Sequence, residues 1–435
     1  MPSNSELSFT HPSRRPYRFT VLLVATFMLF GSYFAYDSVG AIEDYLMDYM
    51  GIGQSEIGLM YSMYSWGAIF TLLAAGWLID RVGTRKSSIL FSAVITAGAV
   101  MVAAAPGTRT ILAGRFVFGA GSEALIVAQS AILARWFTGK ELAFAFGASL
   151  TIFRLGTLFS FNTETLIAEA LGPVGALWVA AGFCALSALI NLIYIAMDRY
   201  AEPVLGLREE GAADRIDWGQ VFRFKVSYWH LTLVCLCFYS AIFPFTALST
   251  NFFHEKWGLP LAAASEGGFV AGVFANFRHM FSTAPGTTSI IVFASMIFAP
   301  LAGALVDRIG KRATIMTLGC LLMIPCFLAL GLTSVAPVGP MMLLGAAFVL
   351  VPAALWPAVP LIVKRGRMGT AFGLMTLIQN IGLMSFPYLN GWLREETGEY
   401  SHGMLMFAGL GAVALVFALL LRFGRKESRS VLEAP

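Results

Sequence analysis

The sequence is poor in charged residues. Asp, Glu, Lys and Arg together make up 12% of its 435 residues, whereas soluble globular proteins carry about 25%. A soluble globular protein is therefore excluded, and no nucleic-acid partner is expected.

Several chemical signatures are also absent from the sequence. No Asn-x-Ser/Thr sequon and no Gly-x-x-x-x-Gly-Lys-Ser/Thr motif occurs, so neither glycosylation nor ATP-driven activity is expected. No metal, cofactor or external disulfide is expected, because the five cysteines lie inside apolar runs and Cys235-x-Cys237 lacks the partners of a metal site. The histidines fall in loops or at helix ends, which argues against a histidine proton relay inside a membrane. They are His11, His230, His254, His279 and His402.

Long apolar runs fill the chain instead. Mean hydropathy is +0.74, and runs near 20 residues predict membrane-spanning helices. The first run is too long for a signal peptide and is interpreted as a retained helix. Twelve helices are predicted, at roughly 19–42, 56–79, 88–105, 109–136, 142–169, 174–198, 228–254, 286–306, 314–333, 340–363, 370–393 and 402–422.

The basic residues predict how the chain lies in the membrane. Twelve helices place both termini on one side, and that side receives 23 of the 29 Lys and Arg residues. The opposite side receives four, and its 43–56 loop carries four acidic residues and no basic one. Because positive loops stay in the cytoplasm, both termini are expected there.

A ten-residue motif occurs once in each half of the chain. It reads GWLIDRVGTR at 76–85 and GALVDRIGKR at 303–312, an offset of 227 residues. Each copy lies between two apolar runs, where its glycines allow a tight turn and close helix approach. A duplicated six-helix unit explains the offset and predicts an all-α membrane protein with two pseudo-symmetric halves, the architecture of the major facilitator fold. The motif residues Asp80, Arg81, Arg85, Asp307, Arg308 and Arg312 are predicted to form a gate.

The domain boundaries follow from the polar segments. The polar stretch 199–227 is predicted to link the halves on the cytoplasmic side, and 267–285 is an external insertion without a counterpart in the first half. That insertion is either an amphipathic piece in the membrane interface or an extended end of a neighbouring helix. The predicted parts are an N-terminal segment 1–18, halves 19–198 and 228–422, and a tail 423–435.

Two opposite charges are predicted to share the membrane midplane. Glu123 is near the centre of the fourth helix and Arg154 near the centre of the fifth. A charge in hydrocarbon is costly and normally faces a cavity or a partner, and transporters bind substrates at the midplane. The pair is therefore predicted to bind substrate, with a purely structural salt bridge as the alternative.

Other polar residues interrupt the helices. Arg115 lies about two turns outside the centre and is predicted to serve a gate, with proton coupling as the alternative. Asp37 is a candidate gating partner, cavity wall or proton site, and Glu164 a candidate rim residue. The remaining candidates for lining the cavity, for each of which simple packing is an equal alternative, are Tyr36, Tyr64, Tyr239, Trp356, Gln379 and Asn380.

Eight stretches resemble one family across almost the whole chain. They are FGSYFAYD (30–37), GRFVFGAGSE (114–123), VAQ (127–129), RWFTGKEL (135–142), FRLG (153–156), FPF (243–245), ALWP (354–357) and GTAFGLMTLIQN (369–380). Together they resemble the lysosomal dipeptide-transporter family of the major facilitator superfamily. The resemblance implies dipeptide transport, with the residue matching Glu123 facing the peptide amine and the one matching Arg154 facing its carboxylate.

The first external loop departs from that family. Animal members carry a larger, cysteine-bearing loop there and work with a glycoprotein partner, whereas loop 43–56 here is short and acidic. The glycoprotein partner and the lysosomal address are therefore not expected. The sequence is interpreted as that of a monomeric, prokaryotic-type relative in a plasma or inner membrane.

Three functions remain open from the sequence. The first is a carrier of dipeptides or similar zwitterions, by uniport or proton symport. The second is a carrier of amino acids or organic anions by proton symport. The third is a sensor that does not transport, against which the intact Asp-Arg motifs and midplane charges argue.

Overall fold

The structure is a computed structural model that describes residues 11–12, 14–104, 107–137, 141–206, 224–265, 267–363, 367–424 and 431–433. Within these, the side chains of residues 73, 80, 142, 143, 368 and 369 are not described. The helices are α1 (Arg15–Phe27), α2 (Phe30–Ala41), α3 (Glu43–Met50), α4 (Gln54–Val82), α5 (Thr84–Ala104), α6 (Thr108–Trp136), α7 (Leu142–Leu205), α8 (Val226–Ala247), α9 (Ser249–Trp257), α10 (Phe269–Arg278), α11 (Ala284–Ile309), α12 (Arg312–Leu332), α13 (Val338–Ile362), α14 (Met368–Thr397) and α15 (Ser401–Phe423).

When α1 and α2 are taken as one span and α7 as two, twelve helical segments of the described residues are long enough to cross a membrane. This confirms the predicted all-α membrane fold. Nine spans in the described residues are both long and apolar enough. One of them, within α7, bends at Gly172, where φ is 75°, and therefore counts twice. The more polar α4 and α14 have 29 and 30 residues, enough for a bilayer of about 30 Å at 1.5 Å per residue.

Two predicted helices are broken in the structure. The first span consists of α1 and α2, which separate at residues 28–29. The seventh predicted helix, 228–254, separates at Leu248 into α8 and α9. Pro244 lies four residues before that break, and a proline removes one helical hydrogen bond and disturbs the preceding turn.

Two predicted loops contain helices. The first external loop, 43–56, contains α3, and the insertion near 267–285 contains α10 as a helix separate from its neighbours. α7 continues to Leu205, into the predicted linker, and residues 207–223 of that linker lie outside the described part.

Each half has its own hydrophobic core. One cluster of buried side chains runs from Tyr17 to Ala201 and adds Ala247 and Leu248. The second runs from Tyr228 to Leu432. We call the end of the molecule that carries Arg15, Gly206 and Phe423 the termini end, and the end that carries α3 and α9 the far end.

The two halves meet at the far end and at mid-depth. A Cβ atom on Gly40 would clash with the carbonyl group of Ala247, and one on Gly58 would clash with that of Pro387. Glycine at these positions therefore permits the backbones of the two halves to touch. Ser55 N also donates to Glu395 Oε1 across the halves at 3.0 Å.

The repeated motifs turn sharply at the termini end. Gly83 and Gly310 each end a helix with positive φ, 83° and 69°, a conformation that favours glycine. The close helix approach expected at Gly76 and Gly303 is not seen, because no heavy atom of a neighbouring helix in the described structure lies within 4 Å of a Cβ added at either one. The halves are thus closed at the far end and apart near the motifs.

Candidate binding site and gates

Glu123 of α6 is half-buried at mid-depth and is held by a tyrosine. Tyr64 of α4 donates its hydroxyl hydrogen to Glu123 Oε1 at 3.2 Å. The ring of Tyr36 packs edge-on against Tyr64, with centroids 4.7 Å apart. The predicted residues Tyr36, Tyr64 and Glu123 therefore lie together on the wall of the N-terminal half.

Arg154 of α7 faces the C-terminal half. Its Nη1 donates to Ser295 Oγ of α11 at 2.7 Å, and its Cζ lies 4.8 Å from the centre of the Phe348 ring of α13. Neither contact is to a carboxylate. The guanidinium is thus positioned by a hydroxyl and an aromatic face, while its charge has no acidic partner within 4.0 Å among the described residues.

Glu123 and Arg154 are therefore not a structural salt bridge in this state. Tyr33 of α2 is close enough to interact electrostatically with both of them, and its ring stacks on Phe153, next to Arg154 in sequence, with centroids 5.2 Å apart. Tyr33 was missed as a site residue because a tyrosine in an apolar helix gives no signal of its own. Tyr33 therefore lies near both charges.

The C-terminal half adds an aromatic wall. Trp356 Nε1 donates to Tyr239 Oη at 3.0 Å, and Tyr239 stacks on Phe243 with centroids 5.6 Å apart. Phe243 in turn meets Phe348, the ring under Arg154, edge to face. Tyr239 and Trp356 are thus linked to Arg154 through a chain of ring contacts.

The two predicted amides of α14 are placed differently from one another. Gln379 is half-buried, and the Cys235 Sγ donor lies 3.5 Å from its Oε1. Asn380 is 1% exposed and its Nδ2 donates to the Thr376 carbonyl of its own helix at 3.1 Å. Neither of these hydrogen bonds connects Gln379 or Asn380 to Glu123 or Arg154.

Arg115 joins three helices of the N-terminal half. It is 1% exposed, its Nε donates to Met60 O at 3.3 Å, and its Nη1 reaches Ala35 O and Tyr36 O at 3.4 and 3.3 Å. The Tyr61 ring lies 4.8 Å from its Cζ. Arg115 thereby connects α6 to α2 and α4 through carbonyl groups.

Asp37 is buried near Arg115 without forming an ion pair with it. No ion pair within 4.0 Å joins the two among the described residues. Thr157 of α7 lies near the Asp37 carboxylate, although no hydrogen bond of 3.5 Å or less joins the two in the described structure. Asp37 therefore lies at the α2–α7 boundary, one helical turn from Tyr33.

The first motif belongs to an ion network within the N-terminal half. Arg85 Nε donates to Asp198 Oδ2 at 2.5 Å and its Nη1 to Glu202 Oε2 at 2.9 Å. Asp198 is fully buried and also accepts from Arg135 Nη1 at 3.1 Å and Trp136 Nε1 at 2.8 Å. Asp198 gave no sequence signal for this role, because an acidic residue at the end of a predicted helix is common.

The other motif residues make fewer contacts. Arg81 lies over the Trp77 ring at 5.2 Å, Asp307 and Arg308 are exposed, and Arg312 begins α12. The side chain of Asp80 lies outside the described residues. The exposed Asp307 side chain therefore does not make the predicted gating contact in this state.

A polar cluster closes the far end. Asn251 N donates to Glu43 Oε1 at 2.6 Å, and the Asn251 side chain bonds Asp44 and Tyr400. Glu43 is fully buried and also accepts from Gln54 Nε2 at 3.4 Å. The acidic character of segment 43–56 was the one sequence signal for this cluster, which joins α3 of the first half to α9 and Tyr400 of the second.

These contacts bring a carboxylate, a guanidinium and several aromatic rings together at the boundary of the two halves. Among the described residues, no group of three or more His, Cys, Asp or Glu side chains is placed to hold a metal ion. The arrangement offers recognition of a small molecule with a positive and a negative end.

Comparison with known proteins gives three findings. The family model of the Major Facilitator Superfamily matches residues 22–284 and 279–434. The lysosomal dipeptide transporter MFSD1 of Homo sapiens is 31% identical over 424 residues, which cover 94% of this chain and 87% of that protein. The probable sulfoacetate transporter SauU of Cupriavidus necator is 23% identical over 425 residues, covering 92% of this chain and 93% of that protein.

One solved structure supports the fold. A mutant of the nucleoside transporter NupG matches with a TM-score of 0.69 at 15% sequence identity, covering 92% of this chain and 99% of NupG. At this identity the likeness concerns the arrangement of helices alone.

Proposed function

Because the chain belongs to the Major Facilitator Superfamily, whose members are transporters and not enzymes, we propose that it carries dipeptides or similarly small zwitterions across a membrane by alternating access. The substrate-binding residues in this proposal are Glu123 and Arg154, with Tyr33, Tyr36, Tyr64, Tyr239 and Trp356 around them.

The observation that carries the proposal is the separation of the two midplane charges. Glu123 bonds Tyr64, Arg154 bonds Ser295, and neither neutralises the other. A dipeptide has an ammonium group and a carboxylate at most two residue lengths apart, about 7 Å. A carboxylate and a guanidinium that do not pair with each other suit those two ends, and a guanidinium binds carboxylates in bidentate fashion.

The same proposal assigns the two ends of the molecule. The excess of Lys and Arg in the loops of the termini end favours the cytoplasm for that end. The far end then faces outward, in a plasma or inner membrane, and the present state is closed to the outside. Gating by Asp80, Asp307 and the arginines of both motifs belongs to the opposite state.

A second candidate is a carrier of small organic anions. Arg154 is the observation in its favour, since its charge has no carboxylate partner in this state, and SauU is a relative named for an anionic substrate. In such a carrier Glu123 would contact the substrate little, because an anion has no ammonium group for it to bind.

The test compares free and blocked dipeptides in binding and uptake by the purified, reconstituted protein. Glu123→Gln should weaken free-amine dipeptides but not N-acetylated ones, and Arg154→Ala should weaken free-carboxylate dipeptides but not C-amidated ones. A hydrogen bond to a charged group contributes about 1.5–3 kcal/mol, so losses of about ten- to a hundredfold are expected.

The matched control is Glu169→Gln. Glu169 is an exposed far-end carboxylate that also accepts from a tyrosine, Tyr45, at 3.1 Å, and its neutralisation should leave both preferences intact. A wild-type protein that binds free and blocked dipeptides equally refutes recognition through the termini. Uptake of amine-free anions that survives Glu123→Gln and is lost in Arg154→Ala would support the anion carrier instead.

A further inference from the structure

Two side-chain hydrogen bonds join α7 of the first half to α11 of the second. Asn162 Nδ2 donates to Ser289 Oγ at 3.1 Å, and Arg154 Nη1 donates to Ser295 Oγ at 2.7 Å. Both acceptors are serine hydroxyls on one helix, six residues apart, or about 9 Å at the helical rise. The bond to Ser295 involves Arg154, which is proposed to bind substrate, whereas the bond to Ser289 involves Asn162, which is not.

The Ser295 hydroxyl is fixed as an acceptor toward Arg154. Its own hydrogen is donated to Val292 O at 2.6 Å, and a hydroxyl has one hydrogen and two lone pairs. Ser295 is fully buried, so water does not compete for the remaining acceptor site. The oxygen therefore presents a lone pair to the guanidinium, as one oxygen of a carboxylate would.

Arg154 retains binding capacity after this bond. A guanidinium has five N–H donors in one plane, and Ser295 accepts from one nitrogen while the Phe348 ring covers a face. In the described structure, each Arg154 nitrogen either has a hydrogen-bond partner or is accessible to solvent. The donors that Ser295 does not use thus remain available to a ligand, and their direction depends on where Ser295 holds the group.

We propose that Ser295 is a positioning residue for carboxylate recognition: it orients Arg154 so that the free edge of the guanidinium faces the substrate. The proposal rests on the proposed function, because it deepens the role of Arg154 in that site. Since Ser295 belongs to the opposite half, it also makes the orientation of Arg154 depend on how the two halves are placed.

The experiment measures the ratio of affinities for a free dipeptide and its C-amidated form. Ser295→Ala should lower this ratio about tenfold, mainly through the free dipeptide, while Ser295→Thr, which keeps the hydroxyl, should restore most of it. Ser289→Ala is the matched control, because it removes a serine hydroxyl from the same helix and the same boundary without touching Arg154. It should leave the ratio unchanged even if the overall transport rate falls.

A double variant protects the test against a general loss of structure. With Arg154→Ala already present, Ser295→Ala should not change the ratio further. Equal ratios in Ser295→Ala and Ser289→Ala, or a further drop in the double variant, would overturn the positioning role while leaving the proposed function standing. A wild-type ratio of one would overturn both, since there would be no carboxylate recognition to position.

Discussion

Asn251 connects the two halves at the far end, and its side chain is expected to decide how firmly that end stays closed. Its main-chain N–H donates to Glu43 Oε1 at 2.6 Å. Its side-chain amide donates to Asp44 and accepts from Tyr400. The bond to Asp44 crosses between the halves, whereas Tyr400 belongs to the same half as Asn251.

The structure sets the size of the effect. Asn251→Ala keeps the main-chain bond to Glu43 and removes one bond across the halves, that to the Asp44 carboxylate. A hydrogen bond to a charged group is worth about 1.5–3 kcal/mol, and the other oxygen of Asp44 is buried without a partner in the described structure. The population ratio should therefore move about ten- to a hundredfold toward the state open at the far end.

A cysteine reporter measures this shift. Thr250 is fully buried next to Asn251 and its hydroxyl has no partner in the described residues, so Thr250→Cys should be labelled by a membrane-impermeant maleimide only when the far end opens. All five native cysteines are buried, which keeps the background low. Labelling should be about ten- to a hundredfold faster when Asn251→Ala is added.

Gln54→Ala is the matched control. Gln54 bonds Glu43 at 3.4 Å, but both residues belong to the N-terminal half. Its loss should change labelling little, because no hydrogen bond between the halves is removed and the main chain of Gln54, which packs against Gly391, is kept. Equal labelling of the Asn251→Ala and Gln54→Ala proteins would refute the assignment of the Asn251 side chain as a contact that holds the far end closed.

Three further predictions concern charged groups at the two ends. Burial, and next the neighbouring Asp44, raise the pKa of Glu43 well above its usual range in the closed far end. Closure is therefore favoured at low external pH, and it is lost as the pH rises from the ordinary glutamate pKa through the raised pKa of Glu43. The labelling of Thr250→Cys should accordingly become faster as the pH rises. Adding Glu43→Gln should keep that labelling slow at every pH, because glutamine cannot lose a proton. Asp307→Asn should slow that labelling about two- to fivefold, since it removes a charge interaction expected in the opposite state alone; unchanged labelling would argue against the gate. Asp198→Asn should lower the stability of the purified protein by about 3 kcal/mol, because Arg85 and Arg135 lose their shared buried carboxylate, and thermal unfolding without a change would contradict this.

The sequence predicted the span count and the all-α fold because long runs of mostly apolar residues between polar loops determine which segments leave water. It did not predict the breaks at residues 28–29 and at Leu248. Both leave the apolar pattern unchanged, and the second depends on Pro244 removing a hydrogen bond within an otherwise continuous run. The α3 helix was missed for the opposite reason, because an acidic segment outside the bilayer has no hydropathy signal.

The charged residues of the candidate site could be identified from the sequence, because burying a charge in hydrocarbon costs free energy. Its serine and tyrosine residues could not, because burying them costs much less. Glu123 and Arg154 stand out because a charged side chain within an apolar helix normally faces a partner, a cavity or a ligand. Ser295 and Tyr33 do not, since serine and tyrosine occur throughout membrane helices. Ser295 is 141 residues from Arg154 in sequence, so no local pattern connects them.

The proposed binding site contains a hydrogen bond between the two halves as well as groups of each half. Alternating access requires the contacts that close one end to be lost when the other closes. Asn251 supplies such contacts at the far end, while Asp307 stands exposed at the other. A substrate that touched one half alone could not favour either state, because a ligand shifts an equilibrium only by its difference in affinity. Arg154 belongs to one half, yet it bonds Ser295 of the other, so a carboxylate bound to it depends on both halves and can distinguish the two states.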